Sequence, residues 1–302
     1  ACTDPSCHHD HTSSVTKGMK GANSRSRVES ASCSAAWADH AAWLADFAGD
    51  LKRGFRLGRL AVETDDEQDP MRSGALLDRF GSLANDAGEF DLADAAGQRA
   101  IELIPREPPS LERAKAMANL AGRRMIRNRC LEAIELVDEA ISLCRTFDAA
   151  PTLGAALAVR ALASSSLGRV EETRTAAFEA MGLLDVVIDD GRFEAGEIGC
   201  NVPWALHTIG DFAQATAWVD EVMIRAAAIG AERGWGIWVE PSAAQGAVVT
   251  GDWWAATQRL ERFRDEAEAG FPLTDMAIIA AELAAGQGDR STVESLLANE
   301  AT

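Results

Sequence analysis

The stretch Gly88-Glu89-Phe90-Asp91-Leu92-Ala93, running on to Ala100-Ile101-Glu102-Leu103, decides the fold because it recurs along the chain. Aligned on Gly88, equivalent turns begin at Gly49, Asn128, Gly168, Gly210, Gly251 and Gly288, separated by 39, 40, 40, 42, 41 and 37 residues. Seven residues before these anchors stand Ala42, Gly81, Ala121, Ala161, Pro203, Ala244 and Ala281. Five after them stand Gly54, Ala93, Ala133, Thr173, Ala215, Ala256 and Val293. Twelve after come Ala61, Ala100, Ala140 and Ala180 in four successive units. Ala and Gly together fill 82 of 302 positions, yet six small residues of seven at the first slot exceed what that supply explains.

Helices that cross closely need small side chains where their backbones meet. Gly or Asn at the anchor supplies the left-handed residue that ends a first helix. The apolar residue two positions later (Phe90, Phe212, Trp253) is expected to tuck between the pair. Each unit therefore reads as a helical hairpin that buries its face only by stacking on neighbours. The expected fold is all-α: a right-handed α-solenoid of about seven hairpins over residues 35–302, following a disordered polar tail over 1–34.

The same residues carry a resemblance. Leu77, Phe80, Gly81 and the Gly88–Pro105 segment resemble the two halves of a tetratricopeptide repeat. The period near 40, the junction from Ala75 to Pro109 into Ser110-Leu111-Glu112-Arg113-Ala114, and Asp148-Ala149-Ala150 leading into Gly154 are similar to the repeat arm of MalT-like, LuxR-type ATP-dependent regulators. The resemblance implies a non-catalytic regulatory arm that senses an effector or mediates protein interactions. It further implies that the family's nucleotide-binding and DNA-binding modules are absent from this chain. The alternative reading is a free-standing tetratricopeptide-repeat adaptor.

Composition narrows the function classes. With 29 Lys plus Arg against 47 Asp plus Glu, the net charge is −18, which argues against direct contact with nucleic acid or an anionic membrane. Alanine occupies 57 positions and Tyr none, a balance that favours helix over strand. No apolar run is long enough to span a bilayer. Cys130, Cys144 and Cys200 stand in apolar helical contexts, and no disulfide framework is read; a cytoplasmic location is expected. No P-loop, G-x-S-x-G elbow, H-E-x-x-H helix or C-x-x-C pair is found, so neither catalysis nor a cofactor is expected.

Three groups of residues stand out. Cys2, Cys7, His8, His9 and His11 are metal-ligand types, but all lie in the polar tail without the paired knuckles of a structural zinc site, and no metal is assigned. Arg113, Lys115, Arg123, Arg124, Arg127 and Arg129 form a basic cluster, read as a solvated face pairing with Glu102, Glu107, Glu112 or Glu132. Six of eight Trp fall between 204 and 254, with Trp218 and Trp253 expected in the core. Glu197, Cys200, Trp204 and His207 follow 3, 4 and 3 spacing, which places them on one helix face. Pro203 predicts a kink or late start of that helix. Trp43, Trp204 and Gln245 each precede their anchor by six residues. The expected binding groove therefore comprises Trp43, Trp204, His207, Trp238 and Gln245, with a protein or peptide partner or a small-molecule effector as occupant.

Overall fold

The structure, a computed structural model, describes residues 34–45, 50–190, 192–262 and 271–300. The proposed tail and its Cys/His cluster lie outside the described residues, as does the anchor Gly49. The described residues form fourteen helices and no strand. They pair as α1 (34–45) with α2 (Leu51–Thr64), α3 (Pro70–Asp86) with α4 (Phe90–Leu103), and α5 (Leu111–Ile126) with α6 (Cys130–Thr146). Next come α7 (Ala150–Ser166) with α8 (Val170–Asp190), then α9 (Arg192–Thr208) with α10 (Phe212–Ala228). The last pairs are α11 (Glu232–Thr250) with α12 (Trp253–Arg262), and α13 (Phe271–Gly286) with α14 (Arg290–Glu300).

The six described anchors all adopt the left-handed conformation, with φ of 80° at Gly88, 59° at Asn128, 70° at Gly168, 82° at Gly210, 80° at Gly251 and 76° at Gly288. Behind each, the next residue's N–H reaches back to the last turn of the first helix. Arg129 N donates to Arg124 O at 2.8 Å and Asp211 N to Leu206 O at 2.9 Å. That closure reverses the chain at the same place in every unit. Asp69 and Ser110 cap α3 and α5 through side-chain oxygens that accept from Arg72 and Arg113 N–H.

The small-residue slots are where the hairpins close. Ala42, Gly81, Ala121, Ala161, Pro203, Ala244 and Ala281 are all buried, as are Ala93, Ala133, Thr173, Ala215 and Ala256 five after their anchors. Ala61, Ala100, Ala140 and Ala180 are buried as well. The residues two past the anchor behave otherwise. Phe90 and Trp253 are exposed, Phe212 is half-buried and Cys130 is buried, whereas Trp218, one turn deeper than the Ala215 slot, is core. Helix α9 begins at Arg192 and continues through Pro203, so the helix does not start late.

First helices touch first helices: α5 meets α7, α7 meets α9, and α9 meets α11. Among the described residues, second helices pack less closely on one another than first helices do and meet through long side chains, such as Arg225–Asp185 at 2.8 Å and Arg259–Asp220 at 2.7 Å. A stack that is tight on one side and splayed on the other must curve, with the first helices on the inner wall.

Two members of the basic cluster, Arg113 and Arg123, are buried in this stack rather than solvated; Arg124 and Arg129 are half-buried, and Lys115 and Arg127 remain exposed. Arg123 pairs with buried Asp78 of α3 at 3.1 Å. Arg113 donates to the carbonyls of Ile101 and Ile104 at 2.8 Å each, closing the C-terminal end of α4. Arg127 and Arg129 reach Asp91 and Asp94 of the preceding hairpin, at 2.7 and 3.1 Å. Of the expected glutamates, Glu132 is engaged, by Arg129 and Arg124. Stacking selects most of the partners, and the Arg129–Glu132 pair is the local one.

Candidate binding groove

The slot six residues before each anchor holds Trp43, Ser82, Gly122, Leu162, Trp204, Gln245 and Glu282, and none of them is buried. Its neighbours one and two positions away are mostly buried between helices. A position that stays open in seven successive units, on the helices that form the inner wall, lines the groove of the solenoid.

Around α9, α11 and α13 this wall is aromatic. Trp204 is half-buried and, like Ala247 and Val248, packs against the buried cluster formed by Ala244, Ala256, Leu260, Met276, Ile279 and Leu283. His207 meets the edge of Trp204 at 5.7 Å and tilts onto Phe212 at 5.0 Å. Gly246 lies beside His207, and a Cβ there would make ordinary van der Waals contact, 3.8 Å from Cδ2. Gln245 donates through Nε2 to Glu282 Oε2 on α13. Three consecutive first helices thus bring together Trp204, His207, Gln245 and Glu282. Trp238 is half-buried on α11. Trp43 is not brought to this cluster: it stands on α1, four hairpins before Trp204, and its ring stacks on His40 at 6.1 Å.

The groove is narrow enough for its walls to feel one another. Lys115 of α5 pairs with Glu194 of α9 at 3.7 Å, spanning α7. Glu197 is pushed up to about 8, first by burial and then by the carboxylates of Glu194, Asp78 and Asp86, with Arg123 opposing. The Cys200 thiol is pushed up to about 12 by burial, then by Asp275 and Glu197, so this cysteine is not a thiolate near neutral pH. Asp275 rises to about 6 through burial. Burial holds the His207 imidazole below its ordinary value, with the Glu282 charge opposing, and its Nε2 makes no hydrogen bond within the protein. At neutral pH the groove therefore offers apolar aromatic surface backed by a neutral imidazole, whose unpartnered Nε2 is itself buried, and by a largely protonated Glu197. That set suits an uncharged or amide-rich ligand more than a phosphate.

Asp275 was not among the expected groove residues, although it is the lone charge in the apolar run from Phe271 to Ala281. Two hollows of about 650 and 580 Å³ open away from the groove, between α6, α7 and α8 and between α10, α11 and α12. Their walls are ion pairs already satisfied within the chain, Arg145–Glu179 in one and Arg259–Glu240 in the other. The groove has the better claim. Among the described residues no cluster of His, Cys, Asp and Glu is arranged to hold a metal ion, and no helix is long and apolar enough to cross a membrane.

These features define the chain as a tetratricopeptide-like helical-repeat protein. It is similar to a Rap protein solved in complex with competence and sporulation factor, at 13% identity and a TM-score of 0.65, over 88% of this chain and 73% of that one. It is similar also to the apo form of RapI, at 9% identity and a TM-score of 0.59, over 87% of this chain and 94% of that one. No protein-family model and no curated protein matches the sequence.

Proposed function

We propose that this chain is a non-catalytic binding arm whose inner groove, at Trp204, His207, Trp238 and Gln245, takes a peptide segment or small effector. One observation carries the reading: Trp204 stays half-open, with the His207 ring against it, on a wall whose neighbouring slots are closed, and the buried Nε2 of His207 beneath it has no hydrogen-bond partner within the protein. Rigid aromatic surface flanked by one unsatisfied polar atom is what an interface anchor needs. A solenoid of similar fold holds competence and sporulation factor, which supports ligand binding by this architecture. The resemblance carried by Gly88 to Pro105 supports the regulatory arm of a MalT-like, LuxR-type regulator as the setting. A free-standing adaptor is favoured by a different observation: the similarity extends over 94% of RapI, so such a solenoid makes up nearly all of that chain.

Selection of binders from a random peptide display library tests the groove. Trp204→Ala should weaken selected peptides by about 30-fold, roughly 2 kcal/mol, while the melting temperature changes little. Loss of about 3–5 kcal/mol of stability with unchanged peptide affinity would make Trp204 a core residue and refute the proposal.

A further inference from the structure

The rule that stacks one hairpin on the next leaves complementary surfaces at the two ends of the described array. The slot twelve residues before each anchor holds Leu76, Ala116, Ala156, Ile198, Val239 and Met276, all buried. Side chains in this slot face the preceding hairpin: a Cβ on Gly154 of α7 would lie 2.6 Å from Ile198 Cδ1, and one on Gly199 of α9 would lie 3.4 Å from Val239 Cγ2. The slot five before the anchor also faces back, since a Cβ on Gly58 of α2 would meet Leu83 Cδ1 at 2.6 Å. In α1 the same two slots hold Trp37, 70% exposed, and Leu44, 49% exposed.

Charge follows the same polarity. At successive junctions an aspartate of one hairpin meets an arginine of the next: Asp39–Arg79 at 2.6 Å, Asp78–Arg123 at 3.1 Å, Asp138–Arg160 at 2.7 Å, Asp185–Arg225 at 2.8 Å and Asp220–Arg259 at 2.7 Å. Arg145–Glu179, Arg174–Asp211 and the longer-range Lys115–Glu194 run the other way. Hairpins therefore mostly present cations towards their predecessor and carboxylates towards their successor. Helix α2 obeys the rule with nothing to meet. Lys52, Arg53, Arg56 and Arg59 are exposed and form no ion pair with any described residue, in a chain of net charge −18. Arg53, four past its anchor, shares a helix face with the positions of Arg259, Arg99 and Arg225 at eight, eleven and fifteen. At the other end, Glu294 of α14 holds the position of Asp94, six past its anchor, and is exposed, its one ion pair being the local one to Arg290 at 2.7 Å. Ile278 of α13 holds the forward-facing position of Asp39 and Asp78 and is 47% exposed.

We propose that the Trp37–Leu44–Arg53 face of α1 and α2 docks on the Ile278–Glu294 face of α13 and α14 of a second copy of this chain, continuing the solenoid head to tail. Repeat arrays normally close their ends with polar residues, and here both ends offer apolar side chains with opposite charge. The contact is heterologous, one different face on each partner, so it extends into longer assemblies rather than stopping at a pair.

Sedimentation of the full chain up to about 100 µM tests this, in the range of micromolar to millimolar association. The wild type should show concentration-dependent species at two and more times the monomer mass. A head-blocked variant, Trp37→Glu with Arg53→Glu, and a tail-blocked variant, Ile278→Arg with Glu294→Arg, should each be monomeric. Their equimolar mixture should form a dimer and nothing larger, because one free head and one free tail remain. An unchanged circular dichroism spectrum establishes that each variant folds. A wild type that stays monomeric throughout would overturn the proposal, including one that instead binds vesicles containing phosphatidylserine. A head-blocked variant that still dimerises would overturn it too, by showing a symmetric contact elsewhere.

Discussion

Arg123 offers the sharpest test of how the stack is held. Its guanidinium is buried between two hairpins, with Nη2 at 3.1 Å from Asp78 Oδ1 and Nη1 at 3.3 Å from Ser82 Oγ. Asp78 keeps one other partner, Asn119 Nδ2 at 2.7 Å. Gly81 and Gly97 are glycine to admit the group, since a Cβ at 97 would stand 2.4 Å from Nη2. Arg123→Met keeps most of the aliphatic volume but strands a buried carboxylate on a single neutral donor. Breaking a buried pair this way costs about 3–5 kcal/mol. Removing the carboxylate as well, in Arg123→Met with Asp78→Leu, should recover most of that loss, because apolar replacement of a buried pair is near neutral. Urea unfolding gives the magnitudes. Hydrogen exchange in α3 to α5 locates the loss, as repeat arrays need not unfold in one step. A single variant within about 1 kcal/mol of wild type, or a double variant that merely sums the two single losses, would refute the claim that this pair locks the second hairpin to the third.

Ala133 is fully buried five residues past its anchor, so Ala133→Leu should cost roughly 1–3 kcal/mol by overpacking. The same change at exposed Ala227 should be near neutral in the same urea titration. Gly168, at φ 70° with open space around its Cβ position, should lose about 1 kcal/mol on change to Ala and less on change to Asn, as read from melting curves. Glu197 carries a pH signature: its pKa is about 8 in the folded chain against 4.5 ordinarily. The folded state therefore binds the proton more tightly, so stability falls as pH rises from 4.5 to about 8 and levels beyond. Glu197→Gln should flatten that part of the stability profile, and an unchanged slope would show that Glu197 ionises freely in the groove.

The fold was legible because repetition converts a weak local signal into a strong one. A single Gly before an acidic residue means little, but six left-handed anchors with buried small residues at fixed offsets leave few alternatives to stacked hairpins. Ion pairing was less legible, since Asp78 and Arg123 lie 45 residues apart and only the stacking register brings them together. The aromatic slot after the turn misled for a related reason. Phe90 and Trp253 are exposed while Cys130 at the same offset is buried, so neither offset nor hydrophobicity alone gives direction.

The groove was legible in the same degree as its geometry. Offset alone put Trp204 and Gln245 on one wall, and adjacency of α9, α11 and α13 added Glu282. The same count put Trp43 in the first unit, four hairpins before Trp204, so it shares the slot without joining the cluster. The slots facing neighbouring hairpins are held to small or apolar residues by contact, and their chemistry repeats from unit to unit. The open slot is free of that constraint and holds Trp, Ser, Gly, Leu, Trp, Gln and Glu in turn. Variation confined to the one inner position that packing does not dictate is where a solenoid can encode what it binds, and in this chain Trp204, Gln245 and Glu282 of that series stand in succession, in the fifth to seventh hairpins.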